Sequence, residues 1–118
     1  MIWLIFGVLS IFWDPGMGYI FPLLSLYILG YFWKRTHPIA VFIILILHHI
    51  ASLNSGFMEL SLMIAIFLIT EIDSLFIKKI IPYVILSVFT AAVMYFSYGI
   101  TAGISTIVAS FIVYLWRG

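Results

Sequence analysis

The chain has 118 residues, of which 66% are hydrophobic and only 8% are charged. Ordinary soluble domains are roughly half apolar and a quarter charged, and a soluble chain this short has too little interior for so many apolar side chains. The composition therefore predicts a protein that is dissolved in a lipid bilayer. A net charge of +1 excludes a basic surface for nucleic acid, and the absence of cysteine excludes disulfides and thiolate chemistry.

Short polar breaks divide the chain into six apolar segments. They run over residues 1–13, 17–33, 38–53, 57–72, 77–98 and 101–116. Irregular backbone is unstable against lipid, so each break is expected at a membrane surface or buried by protein. We predict a single all-α domain over residues 1–118, a polytopic membrane protein with about six short transmembrane helices. Because a full span needs about 20 residues, five helices plus one re-entrant or interfacial segment is the alternative.

The distribution of cations predicts the orientation of these segments. If the N-terminus is cytoplasmic and every segment crosses once, all the cations fall on the cytoplasmic side, namely Lys34, Arg35, Lys78, Lys79 and Arg117. The remaining breaks contain no Lys or Arg, as the positive-inside rule requires. We therefore expect these five residues to be topology anchors of a multi-pass protein of the cell (inner) membrane, with both termini cytoplasmic.

Three ionisable residues near the predicted outer surface are candidates for interhelical polar contacts. His48 and His49 lie near the end of the third segment, and Glu59 lies near the start of the fourth. Neighbouring helical residues point about 100° apart, so the two histidines do not form a chelating pair. One histidine could instead meet Glu59 across the turn at residues 54–56. Proton or ligand chemistry, or simple stabilisation of Glu59 by a helix N-terminus, are the alternatives.

A turn signature, Asp14-Pro15-Gly16, separates the first two segments. Asp, Pro and Gly each favour turn backbone, and the carboxylate of Asp14 is expected to face the outer water. Pro22 and Pro82 fall in or near the first turns of the second and fifth segments, where proline is tolerated.

The last segment carries a series of small residues. Gly99, Gly103, Thr106 and Ser110 follow spacings of four, three and four, which places them on one helical face. Small-residue faces allow helices to approach closely in lipid, so these four are predicted to pack against a partner or a neighbouring helix. That helix belongs either to this chain, with Ala91 and Ala92 as the opposite wall, or to another protein.

The sequence contains no motif for catalysis or for binding a cofactor. No His-Glu-x-x-His, Gly-x-Ser-x-Gly or phosphate-binding glycine loop occurs. We therefore predict a protein that is not an enzyme, needs no cofactor or metal, and has no evident soluble substrate. Its predicted partners are the lipid bilayer and another membrane protein. Nucleic acid is not among the predicted partners.

Part of the chain resembles the MreD family of rod-shape-determining membrane proteins. The resemblance is carried by the stretch FPLLSLYILGYFWKRTHPIAVFIILILHHIASLNSGFMELSLMIAIFLI, from Phe21 to about Leu68. The helix begun by Pro22, the basic loop at 34–35 and the Asn-Ser-Gly turn at 54–56 have the family's order and spacing. Family members are usually longer, and an acidic residue is common near the position of His48 or His49.

The resemblance implies a non-catalytic scaffold of the cell-shape and cell-wall elongation machinery. Such a protein would bind the bitopic protein MreC and would couple to the glycosyltransferase RodA. The family's fold is also similar to the substrate-binding subunits of energy-coupling-factor transporters. A small-molecule-binding transporter subunit, or a small channel, is therefore the alternative function.

Overall fold

The computed structural model describes residues 2–16, 18, 20–34, 38–51 and 61–116. Within these ranges the chain forms six α-helices and no strand, which confirms the predicted all-α class and helix number. The helices are α1 (Ile2–Gly16), α2 (Leu23–Trp33), α3 (Pro38–Ala51), α4 (Ser61–Ile72), α5 (Ile80–Tyr98) and α6 (Ile100–Trp116). A short 3-10 helix, Asp73–Leu75, lies between α4 and α5.

The boundary between the first two helices differs from the prediction. α1 continues through Asp14 and Pro15 to Gly16, so the predicted turn there does not end the helix. α2 begins only at Leu23, six residues later than position 17. Gly18 has a positive φ of 66°, and Pro22 is extended with φ −65° and ψ 121°. Both conformations are incompatible with a helix that starts at position 17.

α2 is the central helix of the bundle. Every residue from Leu24 to Phe32 is buried. The helix contacts α1, α4, α5 and α6. A helix that is apolar on every face is stable only where it is surrounded on all sides by apolar material, and here most of that material is protein.

α1 and α2 approach closely through two glycine–aromatic contacts. A Cβ atom at Gly7 of α1 would lie 2.7 Å from the ring of Tyr27 on α2. In the reciprocal contact, a Cβ atom at Gly30 of α2 would overlap the ring of Trp3 on α1. Each aromatic ring therefore occupies the space that a side chain at the facing position would need. Neither glycine belongs to the small-residue series that the sequence pattern identifies.

α5 and α6 form an antiparallel hairpin. Gly99, which joins them, has a φ of 105°, a conformation that L-residues rarely adopt. Its N–H donates to the carbonyl of Tyr95 over 2.9 Å and ends α5. Towards the opposite end of the hairpin the hydroxyl of Tyr83 donates to the carbonyl of Ser110 over 2.5 Å.

Among the described helices, the 19-residue α5 is the one whose length and apolar composition would allow it to cross a membrane. The other described helices are also apolar, but they have 17 residues or fewer.

Candidate functional site

A buried carboxylate–imidazole pair joins α1 to α3. The Nε2 atom of His48 lies 2.6 Å from Oδ2 of Asp14, and both side chains have 0% exposure. The ring of Tyr98, at the end of α5, meets the ring of His48 edge-on with a centroid distance of 6.3 Å. A buried charge-assisted hydrogen bond of this length is strong because little water competes for either partner.

The same carboxylate caps the N-terminus of α2. The backbone N–H of Leu23 donates to Oδ1 of Asp14 over 2.7 Å, and that of Leu24 approaches Oδ2 at 3.4 Å. These N–H groups have no partner within the helix, and Pro22 offers no side-chain cap. The prediction that the Asp14 carboxylate faces water is therefore wrong. The first-turn N–H groups of α2 and the imidazole of His48 together provide the polar environment that an inward-facing carboxylate requires.

Of the three residues predicted to make interhelical polar contacts, the structure describes His48 and His49. His48 makes its carboxylate contact with Asp14 of α1, while Glu59 lies outside the described residues. His49 lies on a different face of α3 and is partly buried. Among the described residues, no group of three or more His, Asp or Glu side chains lies close enough together to hold a metal ion.

A second polar contact links α2 to α6. The hydroxyls of Ser25 and Thr106 lie 2.8 Å apart, and both residues have 0% exposure. Thr106 also donates to the carbonyl of Ala102 over 2.9 Å, so its hydroxyl is available to accept from Ser25. The contact fixes the position of α6 against the central helix.

We expect Thr106→Val to lower the free energy of unfolding by about 1 kcal/mol, because the isosteric methyl leaves the buried Ser25 hydroxyl without this partner. Unfolding of the detergent-solubilised protein by a denaturing detergent, followed by circular dichroism, measures the change. Thr101→Val is the matched control, since Thr101 is exposed on the same helix. An equal loss in both variants would contradict a specific role for the contact.

The structure places the four predicted small packing residues in four different environments. Gly99 lies in the hairpin turn, where a Cβ atom would meet nothing within 4 Å. Gly103 is buried against α5, where a Cβ atom would lie 3.0 Å from Cβ of Tyr95 and 3.5 Å from the carbonyl oxygen of Ala91. Thr106 faces α2, and Ser110 lies partly exposed on the surface of the hairpin.

Two adjoining grooves follow the line where α5 and α6 meet. The turn-end groove, of about 230 Å³, lies near Gly99 and is lined by Ala91, Ala92, Tyr95, Ile100, Gly103, Ile104 and Ile107. The second groove has a volume of about 550 Å³ and lies between residues 80–91 of α5 and 107–114 of α6. We call it the lysine-end groove, because Lys78 and Lys79 directly precede α5. Ala91 and Ile107 line both grooves, so the two form one continuous depression along the hairpin.

Aromatic side chains and lysines gather at the end of the bundle opposite Gly99. The ammonium of Lys79 lies 5.5 Å from the ring centroids of both Phe32 and Trp33. The ring of Trp33 in turn lies 5.1 Å from that of Tyr83 and 6.2 Å from that of Tyr114. These contacts bring the end of α2, the start of α5 and the end of α6 together.

The predicted topology anchors that the structure describes all lie at this end of the bundle. Lys34 follows the end of α2, and Lys78 and Lys79 precede α5, with all three side chains exposed. Arg35 and Arg117 lie outside the described residues. We call the surface formed by Lys34, Lys78 and Lys79 the lysine end.

No protein family, curated protein or solved structure matches the chain.

Proposed function

We propose that this protein is a non-catalytic scaffold subunit of the cytoplasmic membrane that binds another membrane protein by helix packing. The observation that carries the proposal is the turn-end groove of the α5–α6 hairpin. It is lined by the small residues Ala91, Ala92 and Gly103 and by large side chains such as Tyr95 and Ile104. Small residues on a helix surface let a second transmembrane helix approach closely in lipid.

Apolar side chains on the outside of the bundle support the membrane location. Large hydrophobic residues are highly exposed on separate helices, including Phe12 at 76%, Ile39 at 73%, Ile64 at 71% and Leu115 at 82%. A water-soluble monomer rarely exposes apolar patches of this extent, whereas a lipid-facing surface requires them.

The lysine end supports the proposed orientation. Lys34, Lys78 and Lys79 lie at the end of the bundle opposite the Gly99 turn, as expected for the cytoplasmic side of a protein with both termini cytoplasmic. The shortness of α2 is compatible with this arrangement. Because residues 24–32 of α2 are enclosed by other helices, the helix is covered by protein over most of its length.

The resemblance to MreD supplies the partners that we propose. They are an MreC-like bitopic protein and a RodA-like polytopic protein of cell-wall elongation. We propose that a single transmembrane helix of the MreC-like partner occupies the turn-end groove, because the small residues that line it let two helices approach closely.

Ala92→Trp tests this proposal. Ala92 is exposed and lines the turn-end groove. A tryptophan side chain at this position would therefore fill the groove without entering the bundle. We expect the variant to retain its helix content and to lose at least about tenfold of its co-purifying membrane protein, as for a central interface residue. The measurement is a mild-detergent pull-down from native membranes with quantitative mass spectrometry.

Val108→Trp is the matched control, because Val108 is 47% exposed on α6 and does not line either groove. Gly103→Leu is a less suitable test, since its side chain would collide with α5 inside the hairpin. Unchanged recovery of every partner with Ala92→Trp would refute this groove as the binding surface. Recovery of transporter subunits from the unmodified chain would favour the transporter alternative.

A further inference from the structure

The lysine-end groove is apolar along its length. Its walls come from residues 80–91 of α5 and 107–114 of α6, and none of the residues that line it is charged. Its volume of about 550 Å³ lies within the usual range for small-molecule sites. The groove is open along one side, so a long flexible ligand could enter it from the surface of the bundle.

Two exposed lysines lie at one end of this groove. Lys78 and Lys79 directly precede Ile80, which lines the groove. The rings of Phe32 and Trp33 lie beneath the ammonium of Lys79. Trp33 in turn contacts Tyr83, part of the groove wall, so the aromatic contacts connect the cation to the groove.

The described carboxylates do not neutralise these lysines. Among the side chains that the structure describes, the only ion pair joins Asp14 to His48, on the opposite side of the bundle. Lys78 and Lys79 are both exposed, and Lys79 remains so although its ammonium lies over the rings of Phe32 and Trp33, so an anionic ligand can reach both from the surface.

We propose that the lysine-end groove is a binding site for an anionic phospholipid. One acyl chain lies along α5 and α6, and the headgroup phosphate contacts Lys78 and Lys79. The argument is charge complementarity, because an apolar groove that begins next to two exposed, adjacent lysines matches a ligand with an apolar tail and an acidic head. The turn-end groove is likewise lined by no charged residue, but it lies at the Gly99 turn, at the other end of α5 from Lys78 and Lys79.

This inference uses the proposed membrane location but not the proposed protein partner. The experiment measures lipid binding to the purified full-length chain in detergent micelles by native mass spectrometry. Phosphatidylglycerol and phosphatidylcholine with identical acyl chains are titrated separately. We expect phosphatidylglycerol to bind about 30-fold more tightly, since each lysine beside an anionic headgroup contributes about fivefold.

Three variants separate the contributions of head and tail. Lys78→Gln with Lys79→Gln should remove the preference between the two lipids while weak binding of both remains. Ser87→Phe fills the groove and should weaken both lipids. Phe111→Ala removes part of the wall and should also weaken both, and Phe111 is 67% exposed, so its loss leaves the core intact.

Ser61→Phe is the control, because it places the same side chain in the separate groove between α4 and α5. Equal affinity of the unmodified chain for the two lipids would overturn the proposal. So would an equal effect of Ser87→Phe and Ser61→Phe, or a preference for phosphatidylglycerol that survives loss of both lysines.

Loss of a protein partner in Ser87→Phe with lipid binding unchanged would assign the groove to protein instead. Failure of Ala92→Trp to release a protein partner, by comparison, bears on the scaffold function alone.

Discussion

Asp14→Ala is expected to lower the free energy of unfolding by about 3–5 kcal/mol. The substitution leaves the fully buried imidazole of His48 without its carboxylate and removes the acceptor that lies 2.7 Å from the N–H of Leu23. The imidazole then stays fully buried and the N–H of Leu23 partly buried, and the loss of a hydrogen-bond partner costs free energy at each. The change is measured by titrating the protein in mild detergent with a denaturing detergent and following its helix content.

The two adjacent histidines provide a matched control for this prediction. His48 has 0% exposure and contacts Asp14, whereas His49 lies on another face of α3 and is partly exposed. His48→Ala should therefore cost clearly more than His49→Ala. Asp14→Asn should cost less than Asp14→Ala, because its amide oxygen can still accept from Leu23. If Asp14→Ala lies within about 0.5 kcal/mol of the unmodified protein, the pair is not a stabilising contact.

Gly30→Leu is expected to cost about 3 kcal/mol, at the upper end of the usual overpacking penalty. Even the first carbon of a side chain at position 30 would overlap the ring of Trp3, which is itself buried at 6% exposure. The rigid indole cannot shift without separating α1 from the central helix. The same denaturing-detergent titration measures the loss.

Two comparisons make this prediction specific. Gly16→Leu introduces the same side chain near the end of α1, where a Cβ atom meets nothing within 4 Å, and it should cause little loss. In a Trp3→Ala background, the space left by the indole should accept the leucine, so Gly30→Leu should cost less than it does alone. Additive losses in the double variant would contradict direct contact between the two positions.

The α5–α6 hairpin illustrates how far local sequence determines structure. The breaks at Gly99 and at the charged residues before position 80 predict two helices, and the structure has α5 and α6 there. The small-residue series 99, 103, 106 and 110 identifies α6 as a helix with close neighbours. It does not show that Thr106 contacts α2 while Ser110 lies on the surface, because the pattern within α6 does not specify which part of the bundle each residue on that face meets.

Asp14 shows the opposite case, in which a local pattern gives the wrong environment. Asp-Pro-Gly favours a solvated turn, and within a short peptide the carboxylate would be hydrated. In the folded chain, α3 brings His48 to it across 34 sequence positions, and the start of α2 presents free N–H groups. Partners this distant leave no trace in the residues next to Asp14.

Apolar composition and short polar breaks are properties of the chain itself, and they were sufficient to predict six helices in one all-α unit. The tertiary structure alone decided that α2 is central, that Gly7 and Gly30 receive aromatic rings, and that Asp14 is buried beside His48. Helix formation depends on interactions within a few residues, whereas these three features depend on which helix faces meet. In a chain whose helices are apolar on nearly every face, hydrophobic periodicity cannot distinguish those faces, so close fit and buried hydrogen bonds select them.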